Sequence, residues 1–350
     1  MSQPPSTTSH LALDDAPALK SEVEPAASVL SCSVAGRTAP KPNNDYFDID
    51  SRRVWRGNED RVRITERPDS ILAAVADGAG GSGLFCGAWA ETLLQHLPME
   101  PLCGWDDLNG WLDGFWEVFR AEYAEQAAAD PVRRSKFVRE GSCATLMACW
   151  LRLDQELGAS VHWLAYGDSP FLVFDRSGDG MRLVQHHPPT LNTFDQDPRL
   201  LNWKDIPDAC DLRTGSMDCP SQATVVLASD GMGQSILLRY LADRCCRHEM
   251  EKSDPAAGLV REFQVLSEGG SGRLADAARR HLASQVPGFI ETLAILRSGL
   301  ATEESFHDLL QDHHEAGLLP NDDSTLIIID IDTTTQVPVD ASGSAVREDF

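Results

Sequence analysis

Three runs of small and β-branched residues each end at an aspartate beside glycine, and this recurrence limits the possible folds more than any other feature. Ile71-Leu72-Ala73-Ala74-Val75-Ala76 runs into Asp77-Gly78-Ala79-Gly80-Gly81. Val161-His162-Trp163-Leu164-Ala165-Tyr166 runs into Gly167-Asp168-Ser169, and Thr224-Val225-Val226-Leu227-Ala228 runs into Ser229-Asp230-Gly231. Two more segments put a carboxylate at a strand start: Asn43-Asn44-Asp45 precedes Tyr46-Phe47, and Asp322-Asp323 opens a run to Ile329. A lone Asp-Gly after a strand is a turn signal. Five carboxylates at strand ends around a β core fall on shared rims, where they raise one another's pKa unless a cation neutralises them.

The runs at 28–34, 71–75, 144–153, 161–166, 171–174, 224–228 and 325–331 predict strands. Apolar periodicity predicts helices over 84–96, 106–128, 235–247, 255–266, 272–283, 287–297 and 302–314. The strands cluster instead of alternating with helices, which favours layered α+β packing over a doubly wound parallel sheet. Residues 1–25, rich in Ser, Pro, Ala and acid, read as a disordered leader. Residues 26–332 read as one domain with a helical insertion at about 250–300, and 333–350 as a polar tail.

Charge narrows the function. Thirty basic residues against 54 acidic ones leave a net charge of −24, which opposes nucleic-acid phosphates and anionic lipid. Nine cysteines, an odd number without a CxxC pair, argue against a disulfide framework. Cys86 and Cys143 read as packing residues, and the pairs His186–His187 and His313–His314 as surface or loop residues. With no secretory signal and no apolar run long enough to span a bilayer, the expected location is the cytoplasm. Oxygen ligands without Cys or His suit Mg²⁺ or Mn²⁺. Two such ions can share a bridging water and turn it into a nucleophile for phosphate.

The ordered series resembles the motif set of the PP2C (PPM) metal-dependent serine/threonine phosphatases, bacterial-type branch. Asn43-Asn44-Asp45 resembles that family's Asn-Glu-Asp element, and Asp77-Gly78-Ala79-Gly80-Gly81 its Asp-Gly-Met-Gly-Gly. Gly141-Ser142-Cys143-Ala144 resembles Gly-Ser-Thr-Ala, and Gly167-Asp168-Ser169 resembles Gly-Asp-Ser-Arg. Ser229-Asp230-Gly231-Met232 resembles Ser-Asp-Gly-Leu, and Asp322-Asp323-Ser324-Thr325 resembles Asp-Asn-x-Thr. The resemblance implies a four-layer αββα sandwich of two antiparallel sheets flanked by helices. It implies Asp45, Asp77, Asp230 and Asp322 as metal ligands acting catalytically through two Mn²⁺ or Mg²⁺ ions, with Gly78 offering its carbonyl. Asp168 matches a third-metal position.

Four positions depart from the pattern. Asn44 stands where many members carry a Glu, Ala79 where animal-type members carry a His, and Pro170 where the family has Arg. No arginine matches the phosphate-binding one; Lys41 and Arg37 flank its region and are the candidates. The expected reaction is hydrolysis of phosphoserine or phosphothreonine in a protein, opposing a serine/threonine kinase, with hydroxide bridging the ions as nucleophile. The alternative is a catalytically weak or inactive regulatory module of the same fold that binds a phosphoprotein.

Overall fold

Strands buried on both faces read as unbroken apolar runs, and this chain stacks such strands into two sheets. The computed structural model describes residues 28–43, 45–47, 53–55, 57–178, 180–247, 254–284 and 288–335; the side chains of 28, 29, 45–47, 53–55, 334 and 335 lie outside that description. Among the described residues the first sheet runs in the order β1 (Ser28–Ala39), β14 (Ser324–Thr335), β13 (Gln222–Ala228), β9 (Phe171–Asp175), β10 (Arg182–His187). The second runs β12 (Leu212–Asp218), β8 (Gly158–Tyr166), β7 (Leu146–Asp154), β5 (Ser70–Ala76), β4 (Arg61–Arg67). All pairings within both are antiparallel. Two short ladders join β2 (Asp45–Phe47) to β3 (Arg53–Trp55) and β6 (Cys143–Ala144) to β11 (Leu201–Asn202).

Side chains alternate across each strand, so one strand serves two layers. Ile71, Ala73 and Val75 face the other sheet and meet the cluster that holds Val225, Leu227, Ile327 and Ile329. Leu72, Ala74 and Ala76 face outward under Trp89, Leu93 and Phe119, which belong to α1 (Cys86–His96) and α3 (Trp116–Ala127). On the opposite side Val226, Leu326 and Ile328 pack beneath α5 (Asp230–Arg247), α6 (Ala257–Gly269), α7 (Arg273–Ala283) and α8 (Phe289–Gly299). The result is the expected helix–sheet–sheet–helix stack. The region at 250–300 carries α6, α7 and α8, packed on α5.

Several local expectations change. The single helix over 106–128 is two, α2 (Trp105–Asp113) and α3, broken at Gly114 and at Phe115, whose φ is −146°. Phe115 leaves the helical path because its ring packs on Trp89, His96 and Trp111. An additional helix, α4 (Pro131–Glu140), starts where Asp130 caps the Val132 amide and Pro131 takes the first turn. His186 and His187 lie in β10, not in a loop; His187 is buried and its Nε2 lies 3.0 Å from the Gly167 carbonyl. His313 and His314 sit on α9 (Glu303–Glu315), partly buried. Cys86 and Cys143 are buried free thiols. Among the described residues no helix is long and apolar enough to cross a membrane.

Candidate metal centre

The register of the sheets decides which carboxylates meet. In the β4–β5 hairpin Arg61 pairs with Ala76. One step further along, Asp60 stands opposite Asp77, and their carboxyls meet. In the other sheet Ala39 pairs with Ser324. Two steps further, Lys41 stands opposite Asp322, with Nζ 3.7 Å from Oδ1. Asp230 follows β13, whose end lies beside the start of β14, so it shares the rim with Asp322. Asp168 follows β8, whose Tyr166 pairs with Leu146 at the start of β7.

The turns that present these groups are tied to one another. Thr145 donates its amide to the Asp77 carbonyl (2.8 Å), accepts the Asp77 amide on Oγ1 (3.1 Å) and sits 2.7 Å from Ser169 Oγ. Gly167 has φ +107°, open to glycine, and a Cβ there would lie 2.7 Å from Thr145 Cγ2. Ser229 Oγ accepts the Thr325 amide (2.9 Å), fixing Asp230 against β14. Asp323 accepts the amides of Lys41 (2.9 Å) and Glu59 (2.7 Å), joining the segment after β1 to the segment before β4. Thr325 Oγ1 donates to Asp60 Oδ2 at 3.0 Å.

Electrostatically the site, among the described residues, is an acid cluster short of cations. Burial, then the charge of Asp323, raises Asp60 from 3.8 to about 7, against the pull of the Thr325 hydrogen bond. Burial, then the charges of Asp60, Asp230 and Asp322, raises Asp77 well above the carboxylate range. Burial and the Asp230 charge raise Asp168 to about 7, and burial and the Asp322 charge raise Asp230 to about 6. Asp77 and Asp230 keep some surface open, so their desolvation comes from the surrounding protein mass and not from complete enclosure. The one described ion pair to the cluster is Lys41–Asp322.

Among the described residues no three His, Cys, Asp or Glu side chains already close on one point at ligand distance. Asp60 Oδ1 is buried without a donor, and the carboxyl its side chain meets, Asp77, can donate only when protonated. That relation belongs to carboxyls held together by a proton in place of a cation. The donor set is hard oxygen throughout and heavily negative, which fits Mg²⁺ or Mn²⁺. Gly78 is obligatory where it stands: a Cβ would lie 2.7 Å from the Glu59 carbonyl oxygen and 2.9 Å from both Cys86 C and Gly87 N.

Of the residues singled out by sequence, Asp77, Asp168, Asp230 and Asp322 share this rim and Lys41 borders it. Arg37 does not, and its assignment to phosphate is corrected. Its Nε and Nη2 donate to the carbonyls of Leu300 (2.8 Å) and Ala301 (2.9 Å), so it caps the end of α8. Asp45 opens β2, but its side chain lies outside the described residues, as does Asn44 altogether. The residues sequence reasoning missed are Glu59 and Asp60. Asn58-Glu59-Asp60 is letter for letter the Asn-Glu-Asp element, and it lies directly before β4. The Glu59 carboxylate lies over Gly80, where any Cβ would collide with it. Glu59 thus reaches the glycine turn that follows Asp77.

Solved structures similar to this chain include two serine/threonine phosphatases and a PP2C phosphatase domain. One is the S. agalactiae serine/threonine phosphatase, at 13% identity and a TM-score of 0.41, covering 85% of this chain and 99% of that one. The catalytic domain of the serine/threonine protein phosphatase PstP in complex with 2 manganese ions aligns at 16% identity and a TM-score of 0.40, over 87% of this chain and 100% of that one. The PP2C phosphatase domain of SpoIIE from Bacillus subtilis, with a fragment of its regulatory domain, aligns at 15% identity and a TM-score of 0.36, over 88% and 65%. No family model and no curated protein matches the sequence. At such identities and scores, function has to be argued from the side chains themselves.

Proposed function

We propose that this chain is a metal-dependent phosphatase of phosphoserine and phosphothreonine proteins, using Mg²⁺ or Mn²⁺. The observation that carries the reading is the convergence of carboxylates from both sheets on one rim, faced among the described residues by a single paired lysine. Asp77, Asp230, Asp322 and the Gly78 carbonyl would hold two ions, with Asp45 as a further candidate and Asp168 serving a third, weaker one. Bound there, the ions would lower the pKa of a water and draw charge from the phosphoryl oxygens. Asp60 stands behind Asp77 and can hold the proton that the pair shares. Lys41, beside Asp322, is the cation that would meet a phosphoryl oxygen. The motif order supports phosphoprotein as substrate class, opposite a kinase, and the net charge of −24 disfavours nucleic acid. Nine thiols, all free, suit a cytoplasmic setting.

The test is hydrolysis of p-nitrophenyl phosphate and of a phosphothreonine peptide with Mn²⁺, its loss on chelation, and its loss in Asp77→Asn and Asp230→Asn. Undiminished turnover in both variants, with circular dichroism unchanged, would overturn the assignment. A phosphoprotein-binding module without turnover is the second reading. The cations described near the rim favour it, since Lys41 is already paired and Arg61 is held by the Asn58 and Asp60 carbonyls and Glu91.

A further inference from the structure

On the helical layer over the second sheet, α2, the start of α3 and the turn after β11 enclose a cavity of about 260 Å³. None of its lining residues belongs to the carboxylate rim. Its wall is aromatic and apolar: Trp89, Leu112, Trp116, Trp203, Ile206 and Pro207. Two donors in that wall, Asn109 Nδ2 and Trp203 Nε1, are buried with no hydrogen-bond partner. Neighbouring indoles show that this is not how the layer treats its tryptophans. Trp89, Trp105, Trp111 and Trp150 all donate to backbone carbonyls, at 3.0, 2.8, 2.7 and 2.9 Å. A buried N–H without an acceptor is costly, so the pair of open donors marks where acceptor oxygens belong.

The rim adds chemistry of its own. Ile206 is 79% exposed and Trp105 39% exposed beside the opening. Asp113 and Asp205 line the cavity and form no ion pair among the described residues, whereas Lys204 turns its ammonium to the Arg139 carbonyl at 2.7 Å. Asp106, Asp107 and Glu117 are exposed on the same two helices. The volume falls below the roughly 300–1,000 Å³ of pockets for drug-sized ligands, and suits one large side chain with its peptide unit.

We propose that this cavity docks a basic segment of a partner protein. One large apolar side chain seats against Trp116 and Trp203. The adjoining backbone carbonyls accept from Asn109 Nδ2 and Trp203 Nε1, and flanking Lys or Arg residues face Asp113 and Asp205. Aromatic anchors in desolvated pockets dominate such contacts, and a charged rim favours partners of opposite sign.

The experiment follows indole Nε1–H resonances of the ¹⁵N-labelled full chain, with Trp203 assigned through Trp203→Phe. The probes are acetyl-Lys-Lys-Phe-Lys-Lys-amide and its acidic counterpart acetyl-Glu-Glu-Phe-Glu-Glu-amide. The basic peptide should shift the Trp203 resonance saturably, and bind at least tenfold tighter than the acidic one at low salt. Asn109→Leu, checked as folded by the rest of the spectrum, should weaken it severalfold. If the Trp203 resonance is unmoved by millimolar basic peptide, the donors are satisfied by water and the proposal is wrong. Equal binding of the two peptides, or full binding to Asn109→Leu, overturns it as well.

Discussion

Asp60→Asn gives the sharpest test of the carboxylate cluster, because Asp60 is only 1% exposed and faces another carboxyl. Moving a carboxyl from 3.8 to about 7 penalises its charged form by on the order of 4 kcal/mol, at about 1.36 kcal/mol per pKa unit. The sign follows from proton counts. Between pH 3.8 and about 7 the folded, metal-free chain binds more protons at this site than the unfolded chain. Stability without metal therefore falls as pH rises through that window and levels above it. Asparagine keeps an oxygen for the Thr325 hydroxyl, gives Asp77 a donor and cannot ionise. At pH 8 the metal-free variant should be more stable than the parent by roughly 2–4 kcal/mol, several degrees in Tm, while at pH 5 the two should nearly coincide. Mn²⁺ should stabilise the parent more at pH 8 than at pH 5, since at low pH the ion must displace protons, and this pH dependence should shrink in the variant. Calorimetry at both pH values, with chelator and with Mn²⁺, measures all four quantities. A metal-free variant no more stable than the parent at pH 8, or one with the same loss from pH 5 to pH 8, would refute the reasoning.

Lys41→Ala should raise KM for p-nitrophenyl phosphate about three- to tenfold with a smaller change in kcat, because a phosphate contact serves ground and transition states alike. Arg37→Ala should leave both constants unchanged and lower stability by about 1–2 kcal/mol through loss of its two carbonyl contacts; steady-state kinetics beside urea unfolding separates the two. Gly78→Ala should lower Tm by several degrees and abolish turnover, since three backbone atoms crowd its Cβ position, whereas Gly80→Ala should keep Tm because only the Glu59 carboxylate must swing aside. Equal Tm losses in the two glycine variants would contradict that contrast.

Apart from β1, the strands legible in the sequence are those buried on both faces. β5, β8, β9, β13 and β14 read as apolar runs because helices cover one side and the partner sheet the other. Of the two five-stranded sheets, the strands missed, β4, β10 and β12, are all edges, and the short β2, β3 and β11 were missed as well. An edge keeps polar residues toward solvent, so Arg61-Val62-Arg63-Ile64-Thr65-Glu66-Arg67 shows alternation without an apolar run. The break between α2 and α3 was hidden for a different reason: periodicity carries across Gly114, and only the packing of Phe115 turns the chain.

The edge position of β4 also hides part of the carboxylate rim. Asp77 was legible because a central strand ends on it, and Asp60 was not because an edge strand begins after it. Yet the two are one feature. Pro68-Asp69 separates an alternating segment from an apolar run, as a hairpin turn does, and once Arg61–Arg67 is taken as its first arm the register sets Asp60 opposite Asp77. Asn58-Glu59-Asp60 then falls at the rim by strand pairing alone, with Glu59 over Gly80 and Asp60 against Asp77. Asn43-Asn44-Asp45 matches the motif less fully, with Asn44 in the glutamate's place, and stays the second candidate for the element. What brings Lys41 to the rim is its own register with Asp322 across β1 and β14, and that pairing holds whichever segment supplies the Asn-Glu-Asp element.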